Sequence, residues 1–205
     1  GHHRYLHSCP PRRSSDLESQ GFTNPETDYR KGFIHYQDQS QGSMERALQL
    51  FYRAGLEREP SPYLLLATGN ALFARSNYFA ASGYYSMLVN RLQHELDTIN
   101  LPRPQERRSH EEIVELLMVA RNNLGVAKIR TAERMGDARK RSEAMVEFLA
   151  SARLFDSLTR DQVRMTRSET RNLGFLNTDF ILHPQRGIDL ALYRDLPMEM
   201  KFPAE

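Results

Sequence analysis

The chain has 205 residues, of which 40% are hydrophobic and 26% charged, with a formal net charge of +2. This is the composition of a globular domain, and its one cysteine excludes a disulfide framework or a cysteine-based zinc site. No apolar run approaches the ~20 residues of a membrane-spanning helix, and the charge balance offers no basic face of the kind nucleic acid requires.

The first 17 residues read unlike the rest. They hold three of the seven histidines, the cysteine and two adjacent prolines, with no helical or alternating period. Arg12 to Leu17, RRSSDL, reads like the translation of a sequencing adapter, so 1–17 is set apart as a cloning scar or disordered tail. Arg4, Arg12 and Arg13 against Asp16 account for the excess positive charge, and the remainder is balanced. The chain is therefore expected to be the C-terminal part of a longer protein, with no compartment legible in it.

From residue 18 onward the pattern is helical. Apolar spacing predicts helices near 28–40, 43–58, 62–75, 78–97, 110–133, 138–155 and 160–182. Ser61-Pro62 gives a capping residue followed by proline at the first helical position. Ser109 with Glu112, and Thr159 with Gln162, have capping-box spacing. Leu101-Pro-Arg-Pro104 breaks any helix, which makes 97–109 a long loop. After Pro184 the pattern fades. Residues 184–205 are read as a capping segment, either a short helix or, from the alternation of Ile188, Leu190 and Leu192, a short extended stretch.

A small motif recurs inside the helices: Ala67-Thr-Gly-Asn-Ala71, Asn122-Asn-Leu-Gly-Val-Ala127 and Arg171-Asn-Leu-Gly-Phe175. A glycine inside a helix costs about 1 kcal/mol relative to alanine. Three in like settings, Gly69, Gly125 and Gly174, imply close approach of a partner helix. In 62–95, Leu65 and Gly69 lie one turn apart. Ser76-Asn77 then turns the chain, and Tyr78, Ala81, Tyr85 and Leu88 form one stripe of a second helix.

This window resembles the tetratricopeptide repeat. Gly69, Ala81 and Tyr85 fall on its small and aromatic positions; Leu65 and Thr68 replace its usual tryptophan and leucine. Ala47, Phe51 and Ala54 repeat the second-helix stripe, with His35 where the preceding glycine should stand. Asn123, Leu124, Gly125 and Ala127 restart the first-helix motif, and Ala144, Phe148 and Ser151 the second. Between Gly125 and Ala144 lie seven residues more than the family spacing, which one extra turn on each helix would absorb. The resemblance implies an all-α fold: a helical-hairpin solenoid of about seven helices wound as a right-handed superhelix over 18–183. The ending NNLG, LFDSLTRD, RNLGFLN, LYRDLP is similar to repeat proteins of spirochaete periplasmic flagellar collars. That likeness implies a structural subunit of a bacterial envelope assembly.

No residues with a chemical signature emerge. His35, His94, His110 and His183 lack partners at metal-ligand spacing, and Glu111 and Glu112 suit a helix N-terminus without catalysis. No catalytic, metal or cofactor site is expected. A non-enzymatic protein-interaction scaffold is, with an accessory region of an upstream enzyme as the alternative. The resemblance places a partner-binding groove on Tyr63, Leu66, Asn70 and Phe73, on Val119, Asn122, Val126 and Ile129, and on Ser168, Arg171, Phe175 and Thr178. Leu66 stands where a carboxylate-clamping lysine would be, so the groove is expected to take a protein or peptide partner, either a partner helix or an apolar peptide.

Overall fold

The computed structural model describes residues 24–56, 60–98, 108–158, 173–183, 185 and 189–196. Their regular secondary structure is all helical, without strands, and among the described residues seven α-helices pack each against the next. They are α1 (Pro25–Asp38), α2 (Gln41–Phe51, continued by a π-turn Tyr52–Leu56), α3 (Pro62–Ala74), α4 (Tyr78–Asp97), α5 (His110–Met135), α6 (Ala138–Asp156) and α7 (Leu173–Leu182). Residues 1–17, the Thr159/Gln162 pair, Ser168 and Arg171 lie outside the described residues.

Polar caps fix where the helices start. Ser61 and Ser109 accept the N–H groups of Leu64 and Glu112 at 3.2 and 3.1 Å. Asn24 does the same for α1, Ser40 for α2, Asn77 for α4 and Asp137 for α6. Each satisfies a donor that the first helical turn leaves open. Asn24-Pro25 was the missed signal at the start: α1 begins at 25, not at 28, because asparagine caps and proline occupies the first turn without losing a bond. Gly136 ends α5 in the left-handed conformation, φ 65°, and its N–H reaches the Ala132 carbonyl.

Connections of two or three residues fold α1 on α2, α3 on α4 and α5 on α6 as antiparallel pairs. In each pair a glycine of the first helix lies under an aromatic ring of the second. A methyl on Gly69 would come within 2.5 Å of the Tyr85 ring, and one on Gly32 within 2.7 Å of Phe51. One on Gly125 would collide with the edge of the Phe148 ring. Tyr85, Phe51 and Phe148 are all fully buried.

Gly32 corrects the reading of the first hairpin. His35 is not its small position; the spacing from glycine to ring is three residues longer here than between Gly69 and Tyr85, so counting back from Phe51 by the shorter spacing stops short of the glycine. The α5/α6 hairpin is longer again. Its first helix runs ten residues past Gly125, where α3 runs five past Gly69; its second has six before Ala144, where α4 has three before Ala81. The added length is about one turn on each side, which returns the same faces to contact.

Gly174 is also close-packed, but differently. A methyl there would meet backbone, the Phe148 carbonyl at 2.9 Å and the Ala152 N–H at 3.0 Å. It seats α7 on the preceding helix α6 rather than under a ring. The other repeat positions, Leu65, Ala81, Leu124 and Ala144, are buried. Tyr78 is half-buried against Phe73, with the Arg134 guanidinium 4.7 Å from its ring centre.

Packing therefore alternates. The second helices carry much of the exposed surface, including Phe79, Met87, Val146 and Leu149. The first helices form an inner layer: α1 touches α3, α5 touches α7, and Asn123 of α5 bonds Asn70 of α3.

Candidate functional site: the inner face and its asparagines

Four helices contribute to one face. It is occupied by a non-helical stretch of the same chain, residues 189–196. These belong to the segment 184–205, read from the sequence as a cap. The described part runs along the face formed by α7, α5, α3 and α1.

The segment is held by its main chain. Asn177 of α7 accepts the Ala191 N–H and donates to the Ala191 carbonyl, both at 2.8 Å. Asn122 of α5 donates to that same carbonyl at 2.9 Å. Asn123 repeats the two-way contact one step on, accepting the Tyr193 N–H at 2.9 Å and donating to the Tyr193 carbonyl at 2.8 Å. Asn70 of α3 donates to that carbonyl at 3.2 Å. Tyr36 of α1 donates its hydroxyl to the Arg194 carbonyl at 2.9 Å. A carboxamide suits this task because it carries a donor and an acceptor side by side, matching the N–H and C=O of one extended residue.

The asparagines also hold each other. The Tyr85 hydroxyl donates to Asn70 Oδ1 at 2.7 Å, and Asn123 Nδ2 donates to the same oxygen at 3.1 Å. Asn122 Nδ2 donates to Asn123 Oδ1 at 3.3 Å, and Asn177 Nδ2 to Asn122 Oδ1 at 2.6 Å. Each amide has one consistent orientation, because a main-chain N–H can only donate. All four asparagines are at most 1% exposed. Buried amides are tolerated at this depth only when paired, so network and segment satisfy one another.

Side chains line the two flanks. Leu190 and Leu192 pack on the cluster of Val126, Ile129, Ala144 and Phe148. Tyr193 and Leu196 are buried on the larger core. Beside Tyr193 and Asp195 lies a cavity of about 30 Å³, lined also by Tyr63, Leu66, Glu112 and Glu115. That is room for about one water. The Tyr63 hydroxyl donates to Glu112 at 3.1 Å, and Arg108 stands 3.9 Å from the same carboxylate.

Burial shifts the tyrosines that close the network. Loss of solvent pushes the Tyr36 hydroxyl up to about 12, against a partial lowering by its hydrogen-bonding neighbour Asn70. Tyr85 is raised well above its ordinary value by the same desolvation.

The predicted groove residues fall as follows. Asn70 and Asn122 bond the segment. Tyr63, Leu66 and Val119 flank Tyr193; Phe73 flanks Leu192. Val126 and Ile129 are core beneath the leucines. Phe175 is 45% exposed and meets Phe155 of α6 edge-on, on the far side of α7 from Asn177. Thr178 turns its hydroxyl to the Gly174 carbonyl. Sequence reasoning missed Asn123 and Asn177 as groove residues and Tyr36 altogether. The available signal was asparagine recurring near each motif glycine; the offsets from that glycine differ, so a fixed repeat position could not find them.

Among the described residues no His, Cys, Asp and Glu cluster could hold a metal ion, and no helix is long and apolar enough to cross a membrane. Comparison of the chain with protein-family models, with curated proteins and with solved structures gives no match.

Proposed function

We propose that the chain is a protein-interaction scaffold of tetratricopeptide-like hairpins, non-enzymatic, whose inner face holds a partner peptide by its extended main chain. The observation that carries this reading is the asparagine network, in which Asn177 and Asn123 each take both the N–H and the C=O of one segment residue. Amides spaced to read alternate residues recognise backbone, the same economy by which strands pair. The glycine-under-ring contact repeated in three hairpins supports the likeness to that repeat family, since a unit that buries its face only by stacking recurs with the same close contact. An extended occupant fits the face better than a partner helix, whose main-chain bonds are used internally.

The test is recovery of partners on the protein purified from its native cells, unaltered and with Asn70→Ala and Phe73→Ala together. The pair of substitutions should reduce recovery of a specific partner at least several-fold. Unchanged recovery would remove the inner face from the function.

A further inference from the structure

We propose that the outer face of α4 pairs with the same face of a second copy of the chain, each copy laying its Phe79 ring over the other's Gly83. This concerns the side of α4 turned away from the asparagines and does not depend on what the inner face holds.

The contact is one the chain already makes three times, with Gly32, Gly69 and Gly125 each under a ring of the paired helix. On the outside of α4 the same two parts stand separately. Phe79 is 76% exposed, the most of any large apolar side chain described. Gly83, one turn further along the helix, is exposed and has nothing within 4 Å of an added methyl. A glycine inside a helix is destabilising, and no contact within the chain offsets that here. Gly42 is also open, but it is the second residue of α2, and Glu45 and Arg46 follow it one turn on.

A ring lacking a glycine and a glycine lacking a ring, on one face, are complementary to themselves. Residues four apart lie ~6 Å apart along the axis and ~40° apart around it. An antiparallel copy related by a two-fold axis at the level of residue 81 brings each Phe79 over the opposite Gly83. In such an isologous pair the two contacts form together, and the missing side chain lets the helices approach to ~8 Å. Charge permits the pairing. Residues 76–90 contain no Asp, Glu, Lys, Arg or His, so no like charges meet across the axis.

Area sets the strength. Two rings and about three turns of helix on each side bury on the order of 800 Å² in total, short of the ~1,200–2,000 Å² of stable complexes. The dimer is therefore reversible, with a dissociation constant on the order of 100 μM, and dilute protein is monomeric. Tyr85, which bonds Asn70, is two residues from Gly83 and so ~200° around the helix. The pair thus leaves both inner faces uncovered and carries two of them on one particle, which raises avidity for any partner that presents two copies of its ligand.

The experiment is sedimentation velocity on the full chain from ~1 μM to ~1 mM, spanning the expected dissociation constant. The unaltered protein should pass from monomer to dimer. Phe79→Ser and Gly83→Gln should each weaken association by about tenfold or more. Both positions are exposed, so neither substitution reaches the core, and unchanged circular dichroism confirms the fold. An equal mixture of the two variants is the decisive sample. Phe79→Ser keeps its glycine and Gly83→Gln keeps its ring, so the mixed pair regains one of the two contacts. It should associate several-fold more tightly than either variant alone. A protein monomeric at every concentration, a dimer that neither substitution weakens, or a mixture no tighter than its components would each overturn the proposal.

Discussion

Asparagine is an uncomfortable residue inside a helix, because its side chain competes for backbone groups. Asn70, Asn122, Asn123 and Asn177 nevertheless sit within helices at or near zero exposure. What makes them tolerable is a backbone that is not their own. The tyrosines around them add a titratable consequence. Tyr36, Tyr85 and Tyr29 are all raised by burial, so the folded state holds their protons to higher pH than the unfolded chain does. Linkage then gives stability that is complete below the unfolded value near 10 and is lost as pH rises through the folded values. Chemical denaturation should show a flat stability from about pH 7 to 9 and a steep fall between about 10 and 12. Tyr36→Phe should flatten part of that fall, at the cost of the bond to the Arg194 carbonyl. A fall of unchanged steepness in Tyr36→Phe would mean that this hydroxyl is not held protonated by the face.

At the scale of elements, helices were the most legible part of the sequence. Apolar periodicity and the Ser61 and Ser109 caps located α3 to α6 to within two residues, because local chemistry alone sets those boundaries. The glycine-aromatic contact was half legible: Gly69 and Gly125 were found, while Gly32 was hidden by a hairpin of different length. Gly174 was taken as their equivalent although it packs on backbone. Motif spacing records register only when helix lengths are constant. The contact can be tested by contrast with an unconstrained glycine. Gly83 in α4 has nothing within 4 Å of an added methyl. Gly83→Ala should stabilise by about 0.5–1 kcal/mol through helix propensity. Gly125→Ala should instead lose about 1–3 kcal/mol, because its methyl collides with Phe148. For a chain of this size each kcal/mol is about 2–4 °C of melting temperature. If Gly125→Ala melts as high as Gly83→Ala, the close contact is not what joins α5 to α6.

At the scale of the molecule, four of the described helices, α1, α3, α5 and α7, supply a face on which residues 189–196 are laid. This part was the least legible. The resemblance located a groove and placed Asn70 and Asn122 in it, but the occupant comes from the far end of the chain. Tyr36 and Arg194 are 158 residues apart and Asn123 and Tyr193 are 70 apart. No local period encodes such a pairing. The alternation of apolar residues before Leu196 left helix and extended chain both open, and only the asparagines opposite decide between them.

Amide hydrogen exchange at single residues reads that pairing directly. In the full chain the Ala191 and Tyr193 N–H groups, each bonded to a buried asparagine oxygen, should exchange at least a hundredfold more slowly than in a free peptide of the same sequence. Asn123→Ala should release Tyr193 while α4 stays protected. Exchange of both amides at free-peptide rates in the unaltered, folded protein would contradict the account, because the inner face would then not be holding an extended main chain.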